Sequence, residues 1–383
     1  MVTAFTPDPE WFARGVRCVK SFMQFNKNTV PCYCDFGWFS PDQRANLEWL
    51  GIRRLTRLFP DRMPTRKSWI DLLLQDFLEG QEWHKVMWLD ADSIVLRNLE
   101  DLFLRSEDFV SPPARGRQGC FTVEDGRPRY SLNMWVTSSP KLLGDMYEAS
   151  KPEVKGVGNE GRLISKILNE KYRAAHLDGR IYNFGRDVYP TARCTQGEIW
   201  YEHEGSTLFP AIATDSRLDD GNRPVSAAME HYIAAYVDPW LPFPLPVDPA
   251  IIPYLDKCQI LKVAIRIVRL SELKALVYSA EGDKEVPIID TPAAQCLKGD
   301  ATGYENYHNY VKECKNPEDD HTLKKFWFIV RQLKRHGYDR ETMLMAHNGS
   351  NVLCDGQNRA AIMYDLYGDI EIPVLDVTID SEG

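Results

Sequence analysis

No run in this 383-residue chain approaches the roughly 18 consecutive apolar residues that a membrane span requires. The opening Met1-Val2-Thr3-Ala4-Phe5-Thr6 has no basic stretch leading into an apolar one, so no secretory leader is expected. Positive charge is in short supply too. The 46 Lys and Arg stand against 55 Asp and Glu, a net charge of −9, which opposes non-specific attraction to phosphate backbones and anionic lipid. Nucleic acid is therefore not expected as a partner, and membrane contact is expected to be peripheral at most. Cysteine is too scattered to build a scaffold. The nine residues are an odd number running from Cys18 to Cys354, with only Cys32 and Cys34 close together, and they form neither a disulfide framework nor a zinc spacing. The expectation is reduced thiols in a cytoplasmic protein, so that Asn348-Gly349-Ser350 marks only a turn. There is no internal repeat, and 24 Gly and 24 Pro beside 44% hydrophobic residues exclude collagen, low complexity and wholesale disorder.

What remains is a chain with apolar sequence for two or three cores, at about 150 residues per domain. Five prolines crowd Asp238-Pro239-Trp240-Leu241-Pro242-Phe243-Pro244-Leu245-Pro246-Val247-Asp248-Pro249, removing backbone donors and favouring extended geometry. The reading is a first domain over 1–240, a Pro-rich linker over 241–255 and a second domain over 256–383. Before the linker, helical runs (Cys18 to Phe25, Trp69 to Leu78) alternate with strand-like ones such as Lys85 to Leu89, the pattern of an α/β sheet with crossover helices. After it come the run Leu261 to Leu270, a Gly- and Pro-punctuated stretch, a helix from about Leu323 to Arg335, and a strand-turn-helix-strand from Met343 to Val377, a smaller α/β or α+β unit.

The richest stretch runs from Val86-Met87-Trp88-Leu89 through Asp90-Ala91-Asp92 to Ser93-Ile94-Val95-Leu96. A hydrophobic strand ends in two carboxylates one residue apart. Ligands of open α/β sheets gather at the carboxyl ends of strands, where two acidic oxygens could hold manganese or magnesium against a substrate diphosphate. As a bare triplet Asp-x-Asp occurs by chance about once in a chain of this size. Its flanks carry more, because strand, Leu-Asp-Ala-Asp, Val-Leu, Asn98 and Asp101-Leu102-Phe103 together resemble the family-eight glycosyltransferases of glycogenin type.

The resemblance covers roughly residues 1 to 240 and implies a GT-A fold, a Rossmann-like mixed sheet with flanking helices. It also implies an enzyme that moves a sugar, a hexosyl or related group, from a nucleotide-diphosphate sugar to a glycan or lipid-linked acceptor. Thr3, Ala4 and Thr6 match the first strand, which lies against the nucleotide base, and Arg14-Gly15 with Ser21 continues into the first helix. Lys67 stands where the family places a cation near donor phosphate, and Asn133, in Tyr130-Ser131-Leu132-Asn133-Met134-Trp135, where an Asn meets the sugar. Here Met134 and Trp135 replace small residues. Asn159 and Glu160 stand in place of Asp-Gln. By resemblance the reaction retains anomeric configuration, whereas an inverting enzyme needs a carboxylate base, for which Glu160 is the candidate. Asn183 matches a later strand end, and Met229-Glu230-His231-Tyr232 with Pro239-Trp240 the closing motif, whose His is the third metal ligand; Asp238 replaces the usual Lys. The resemblance thus implies that Asp90, Ala91 and Asp92 touch donor or metal and that His231 completes the ligands. Each residue also has a plainer role. His231 could be an interfacial histidine on a helix from Ala227 to Tyr236, His203, the reserve metal ligand between Glu202 and Glu204, could lie in a solvated turn, Lys67 in solvent, the two Asn in turns and Asp101 at a helix cap.

The run Val352 to Met363 passes from strand to helix through Asp355-Gly356-Gln357-Asn358-Arg359. Such a junction aims backbone N–H groups at an anion, and Arg359 adds a bidentate donor; the plain version is a turn with Asp355 as cap. With Tyr367-Gly368-Asp369, Ile372-Pro373-Val374-Leu375, Pro287-Ile288-Ile289-Asp290-Thr291-Pro292 and Lys298-Gly299-Asp300, it is similar to the ParB/sulfiredoxin-like domain in versions associated with surface-polysaccharide synthesis. That likeness implies a nucleotide-phosphate site, with ATP as a possible ligand and kinase activity as an alternative function. Asn358 occupies the usual His position, and Asn donates hydrogen bonds but cannot act as a base.

Overall fold

Strand β1 (Val2–Thr3) runs into α1 (Pro9–Phe25), whose start is set by the Asp8 carboxylate accepting from the Glu10 and Trp11 amides at 3.1 Å and by Pro9 in the first turn. The chain then builds β2 (Cys32–Asp35), α2 (Pro41–Trp49), opened by a Ser40–Gln43 capping box, and β3 (Arg53–Thr56). This computed structural model describes the chain outside residues 4, 6, 36, 57–83, 115–122, 125–126, 150–158, 183–191, 215–226, 243, 248, 316–320, 339–341 and 381–383. The chain divides into two compact units, Met1–Pro242 and Phe243–Gly383.

The first unit continues with β4 (Val86–Leu89), β5 (Ser93–Val95), β6 (Phe109–Ser111), a short hairpin of β7 (Val123–Glu124) and β8 (Arg127–Pro128), β9 (Met134–Thr137), α3 (Pro140–Ala149), α4 (Asn159–Lys171), β10 (Ala174–His176) and α5 (Gly179–Tyr182). Its main sheet among the described residues has the order β10-β6-β9-β4-β1-β2-β3. Only β9 runs antiparallel to its neighbours. The runs in β2, β4 and β9 are buried at every position, as strands covered on both faces must be. On one face Tyr33, Met87, Leu89, Met134 and Val136 pack on Cys18, Val19 and Phe22 of α1. On the other, Cys34, Val86, Trp88, Phe109 and Trp135 meet Leu142, Leu143 and Met146 of α3 and Ile164 and Leu168 of α4. A smaller sheet of β11 (Arg193–Thr195), β12 (Glu198–His203) and β13 (Ser206–Leu208) follows, then β14 (Ile212–Thr214), antiparallel to β5, and α6 (Ala227–Tyr232), which continues as a π-helical turn over Ile233–Val237.

The second unit holds α7 (Ile252–Leu255), β15 (Ile260–Arg269), β16 (Lys274–Val277), β17 (Lys284–Pro287), α8 (Pro292–Leu297), α9 (Ala301–Cys314), α10 (Leu323–His336), β18 (Leu344–His347), β19 (Val352–Asp355), α11 (Gln357–Tyr367) and β20 (Glu371–Ile379). Its mixed sheet has the order β15-β20-β18-β19-β16-β17. Leu344, Ala346, Leu353 and Val374 share a core with Ala293, Tyr304, Phe326, Val330 and Ile362 of the helices. The later part of the Pro-rich stretch belongs to this unit's packing. Val247 and Leu255 are buried, the Pro246 carbonyl accepts from the Met343 amide at 2.7 Å, and Tyr254 stacks on His347 at 5.8 Å.

Both units are α/β with mixed sheets and flanking helices. Helix α1 starts nine residues before Cys18, because Asp8-Pro9 is a stronger helix opening than periodicity alone reveals. Ile181 and Tyr182 are helical and do not end a strand: Asp178 accepts from the Arg180 amide at 2.9 Å and turns the chain into α5, so the strand ends earlier, at His176. The helix expected over Trp69 to Leu78 lies outside the described residues. Among the described residues no helix is long and apolar enough to cross a membrane.

Candidate functional site

Strands β1, β2 and β3 step to one side, and β4 lies on the other side of β1, so the strand order reverses between β1 and β4. In open α/β sheets that reversal opens a crevice beyond the carboxyl ends of the two strands, because the connecting loops diverge there. Thr3 ends β1, and Asp90 follows the last residue of β4. Sheet topology therefore delivers the acidic pair to the place where a ligand is expected.

Locally the pair sits on a tight turn. The Asp90 carbonyl accepts from the Ser93 amide at 2.9 Å, placing Asp90 at the first and Asp92 at the third turn position, and β5 then leaves the main sheet. The turn is pinned on two sides. The Asp90 amide donates to the Asn133 carbonyl at 2.8 Å, and the Ser21 hydroxyl accepts from the Val95 amide at 2.9 Å. Asn133, exposed at the head of β9, is thus beside Asp90. The Trp88 indole N–H donates to Asp90 Oδ1 at 2.8 Å. From sequence Trp88 is only an apolar strand residue; the signal of its place in the site is the strand period, which puts residues 88 and 90 on one face.

Beneath the turn lies the Cys18 thiol of α1, fully buried. Burial pushes its pKa far up and the nearby Asp92 and Asp90 carboxylates push it further, while Thr3 pulls it back. The Thr3 hydroxyl is buried beside that thiol, with no other partner at hydrogen-bond geometry among the described residues.

Among the described residues no three His, Cys, Asp or Glu side chains gather as a metal cage. His231 lies exposed on α6, edge-on to Tyr236 at 6.3 Å, and is not brought into such a group with Asp90 and Asp92. His203 ends β12 at a hairpin turn whose Glu204 and Gly205 both have positive φ, so it serves the turn. Two carboxylates on one turn do suit a magnesium-like ion, which keeps several waters and is held by one or two carboxylates plus substrate phosphates rather than by an all-protein cage. Asn159 and Glu160 open α4, and Ala4, Thr6, Lys67 and Asn183 lie outside the described residues. Asp101 is exposed inside the 3-10 helix Glu100–Leu104 and caps nothing. Asp238 is an anchor: it pairs with Arg17 of α1 at 2.8 Å, and its carbonyl accepts from the buried Lys20.

In the second unit the strand-turn-helix forms over β19, Gly356 and α11. Gly356 is left-handed at φ +84°, and a Cβ there would overlap the Leu344 side chain. The Arg359 guanidinium reaches Asp355 Oδ2 at 2.8 Å and the Thr342 carbonyl. Asp355 is not a cap; it is the partner of Arg359. Gln357 donates to the Leu353 carbonyl at 3.0 Å and Asn358 to the Tyr304 hydroxyl at 3.2 Å.

No family model matches the chain, and no curated protein does. Among solved structures, the glycosyltransferase GlyE of Streptococcus pneumoniae TIGR4 matches 60% of this chain and 58% of its own, with 15% identity and a TM-score of 0.40. The galactosyltransferase LgtC in complex with donor and acceptor sugar analogs matches 61% of this chain and 94% of its own, at 13% identity and a TM-score of 0.38. Mouse xyloside xylosyltransferase 1 matches 58% of this chain and 98% of its own, at 11% and 0.36. Likenesses this distant leave function to be read from the residues of the site.

Proposed function

We propose that the first unit is a metal-dependent glycosyltransferase that moves a sugar from a nucleotide-diphosphate sugar to a glycan or lipid-linked acceptor. The observation that carries this reading is the placement of Asp90 and Asp92 on one turn, at the strand-order reversal of the main sheet and next to Thr3. Asp92 and Asp90 would hold the divalent cation, manganese or magnesium, with His231 as the third protein ligand to be tested. A cation bound there supplies charge neutralisation for a departing diphosphate. The chain's own part is to hold and orient. Trp88 fixes the Asp90 carboxylate, and the Asn133 carbonyl fixes its backbone. Thr3 offers a buried hydroxyl at the end of β1. Lys67, Ala4, Thr6 and Asn183 are proposed donor contacts by their place in the resembled pattern. Glu160 is the residue whose variant separates retention from inversion: an inverting reaction loses its base with Glu160→Gln, and a retaining one does not.

The test is donor hydrolysis. Incubated with manganese and a panel of nucleotide sugars, the protein turns over one donor slowly, and Asp92→Ala abolishes this. Absence of both hydrolysis and metal-dependent nucleotide binding across the panel defeats the reading. The Asp355–Arg359 turn is proposed as a second phosphate or nucleotide site. Because Arg359 already holds Asp355, an incoming phosphate has to exchange with that carboxylate. ATP consumption lost in Arg359→Ala but kept in Asp92→Ala would move the activity to the second unit.

A further inference from the structure

Helix α10 carries different chemistry on its two sides. Phe326, Val330 and Leu333 recur at helical spacing and are buried in the core of the second unit. On the opposite side Trp327 and Phe328 are 38% and 52% exposed. Lys324, Arg331, Lys334 and Arg335 are exposed with them. Helical spacing interleaves the two kinds: Lys324 lies one turn before the aromatic pair, Arg331 one turn after it, and Arg335 two turns after Phe328. Lys325 adds a fifth basic residue, and no Asp or Glu occurs between Leu323 and His336. Lys324, Arg331, Lys334 and Arg335 form no ion pair among the described residues. Next to α10, Tyr367 of α11 is 43% exposed and donates its hydroxyl to the Leu333 carbonyl at 2.8 Å.

A charged helix face is ordinarily just solvated. This one differs because the residues set among its cations are bulky aromatics, which are unfavourable in water and favourable at a lipid headgroup boundary. The chain's net charge of −9 argues against a general attraction to anions, so binding to an anionic surface would need a local basic face such as this one. The outer side of a helix is convex. It offers no groove to track a nucleic-acid backbone, whereas a bilayer surface is a deformable plane that admits projecting rings while its phosphates meet the cations.

We propose that the outer face of α10, through Trp327, Phe328, Lys324, Arg331 and Arg335, docks the protein on an anionic lipid bilayer. This goes beyond the transferase reading and does not rest on it. The test is co-sedimentation of the full chain with sucrose-loaded vesicles, either equimolar phosphatidylcholine and phosphatidylglycerol or phosphatidylcholine alone. Binding is expected to the anionic vesicles, weakening as salt rises, with little on the neutral ones. Trp327→Ser/Phe328→Ser and Lys324→Glu/Arg335→Glu should each weaken it by about tenfold or more. If the aromatic variant does not fold, the charge-reversal variant, which removes no core contact, decides alone. No binding to anionic vesicles at low salt, equal binding to both vesicle types, binding unchanged in a folded variant, or capture by polyuridylate in place of vesicles would each overturn the proposal.

Discussion

Replacing Trp88 by Phe removes one hydrogen bond, from the indole N–H to Asp90 Oδ1, while keeping an aromatic ring in the core. A hydrogen bond to a charged group is worth about 1.5–3 kcal/mol. If Asp90 is held for ligand binding by that bond, metal-dependent nucleotide affinity should fall by roughly 10- to 150-fold. The substitution also thins the packing, at about 1–2 kcal/mol of stability. Trp135 supplies the control. It stacks on Trp88 at 6.1 Å and 16° in the same core, so Trp135→Phe loses similar packing. Its cross-strand neighbour is Trp88, two residues before Asp90, so the indole bond to Asp90 is kept. The assay is calorimetric titration of manganese with uridine or guanosine diphosphate into both variants, with thermal unfolding measured alongside. Similar losses of stability are expected in both, with affinity lost only in Trp88→Phe. Equal affinities in the two variants, or an equal loss in both, would refute the idea that the indole positions Asp90.

Gly356→Ala puts a Cβ into the left-handed region and against Leu344, and should cost the second unit about 2–4 kcal/mol, read by denaturant unfolding. Asp238→Ala should cost about 1 kcal/mol by releasing Arg17, and the exchange Arg17→Asp with Asp238→Arg should recover part of it. Burial lowers the pKa of His347 from its ordinary 6.5, with Asp376 opposing. The unfolded chain therefore takes up the proton first. Stability is fully present above about pH 6.5, declines as pH falls below that value, and should do so less steeply in His347→Gln. Thiol labelling of the native protein should reach the exposed Cys314 quickly and the buried Cys18 and Cys34, whose thiols are pushed far up, only on unfolding.

The acidic pair was legible because a buried strand and a pair of carboxylates are both local patterns, and four consecutive apolar residues before Asp90 leave little else for them to be. The same holds for α10, whose buried positions recur at helical spacing within 14 residues. What could not be read is what depends on partners distant in sequence. Nothing near Asp90 indicates that Cys18, 72 positions earlier, lies beneath it, or that Ser21 ties down Val95. Ile181-Tyr182, where the resembled pattern has the end of a strand, belongs to α5 instead, because the Asp178 side chain accepts from the Arg180 amide and its carbonyl from the Ile181 and Tyr182 amides. Arg359 looked like a donor awaiting an anion; only the fold shows that Thr342, 17 residues back, and Asp355 already engage it.

The departures from the resembled pattern have physical causes, and these bear on how far each counts against the site. Met134 and Trp135, where small residues are usual, point to opposite faces of β9, Met134 into the core with α1 and Trp135 into the core with α3 and α4. Neither replaces a group at the strand tip, where Asn133 keeps its place beside Asp90. Asp238, where a Lys is usual, faces Arg17 and Lys20 on α1, so a cation there would meet two others; the acid compensates for what α1 carries. Asn358 for His is different in kind. Its amide serves the Tyr304 hydroxyl and has no proton to give up near neutrality, so the change alters chemistry and not only packing. Set against the resembled patterns, the differences in the first unit leave the tip of β4 as it is and refit what surrounds it, whereas the turn of the second unit has at Asn358 a side chain that does not titrate. On those grounds loss of Asp92, and not of Arg359, is the substitution expected to abolish turnover.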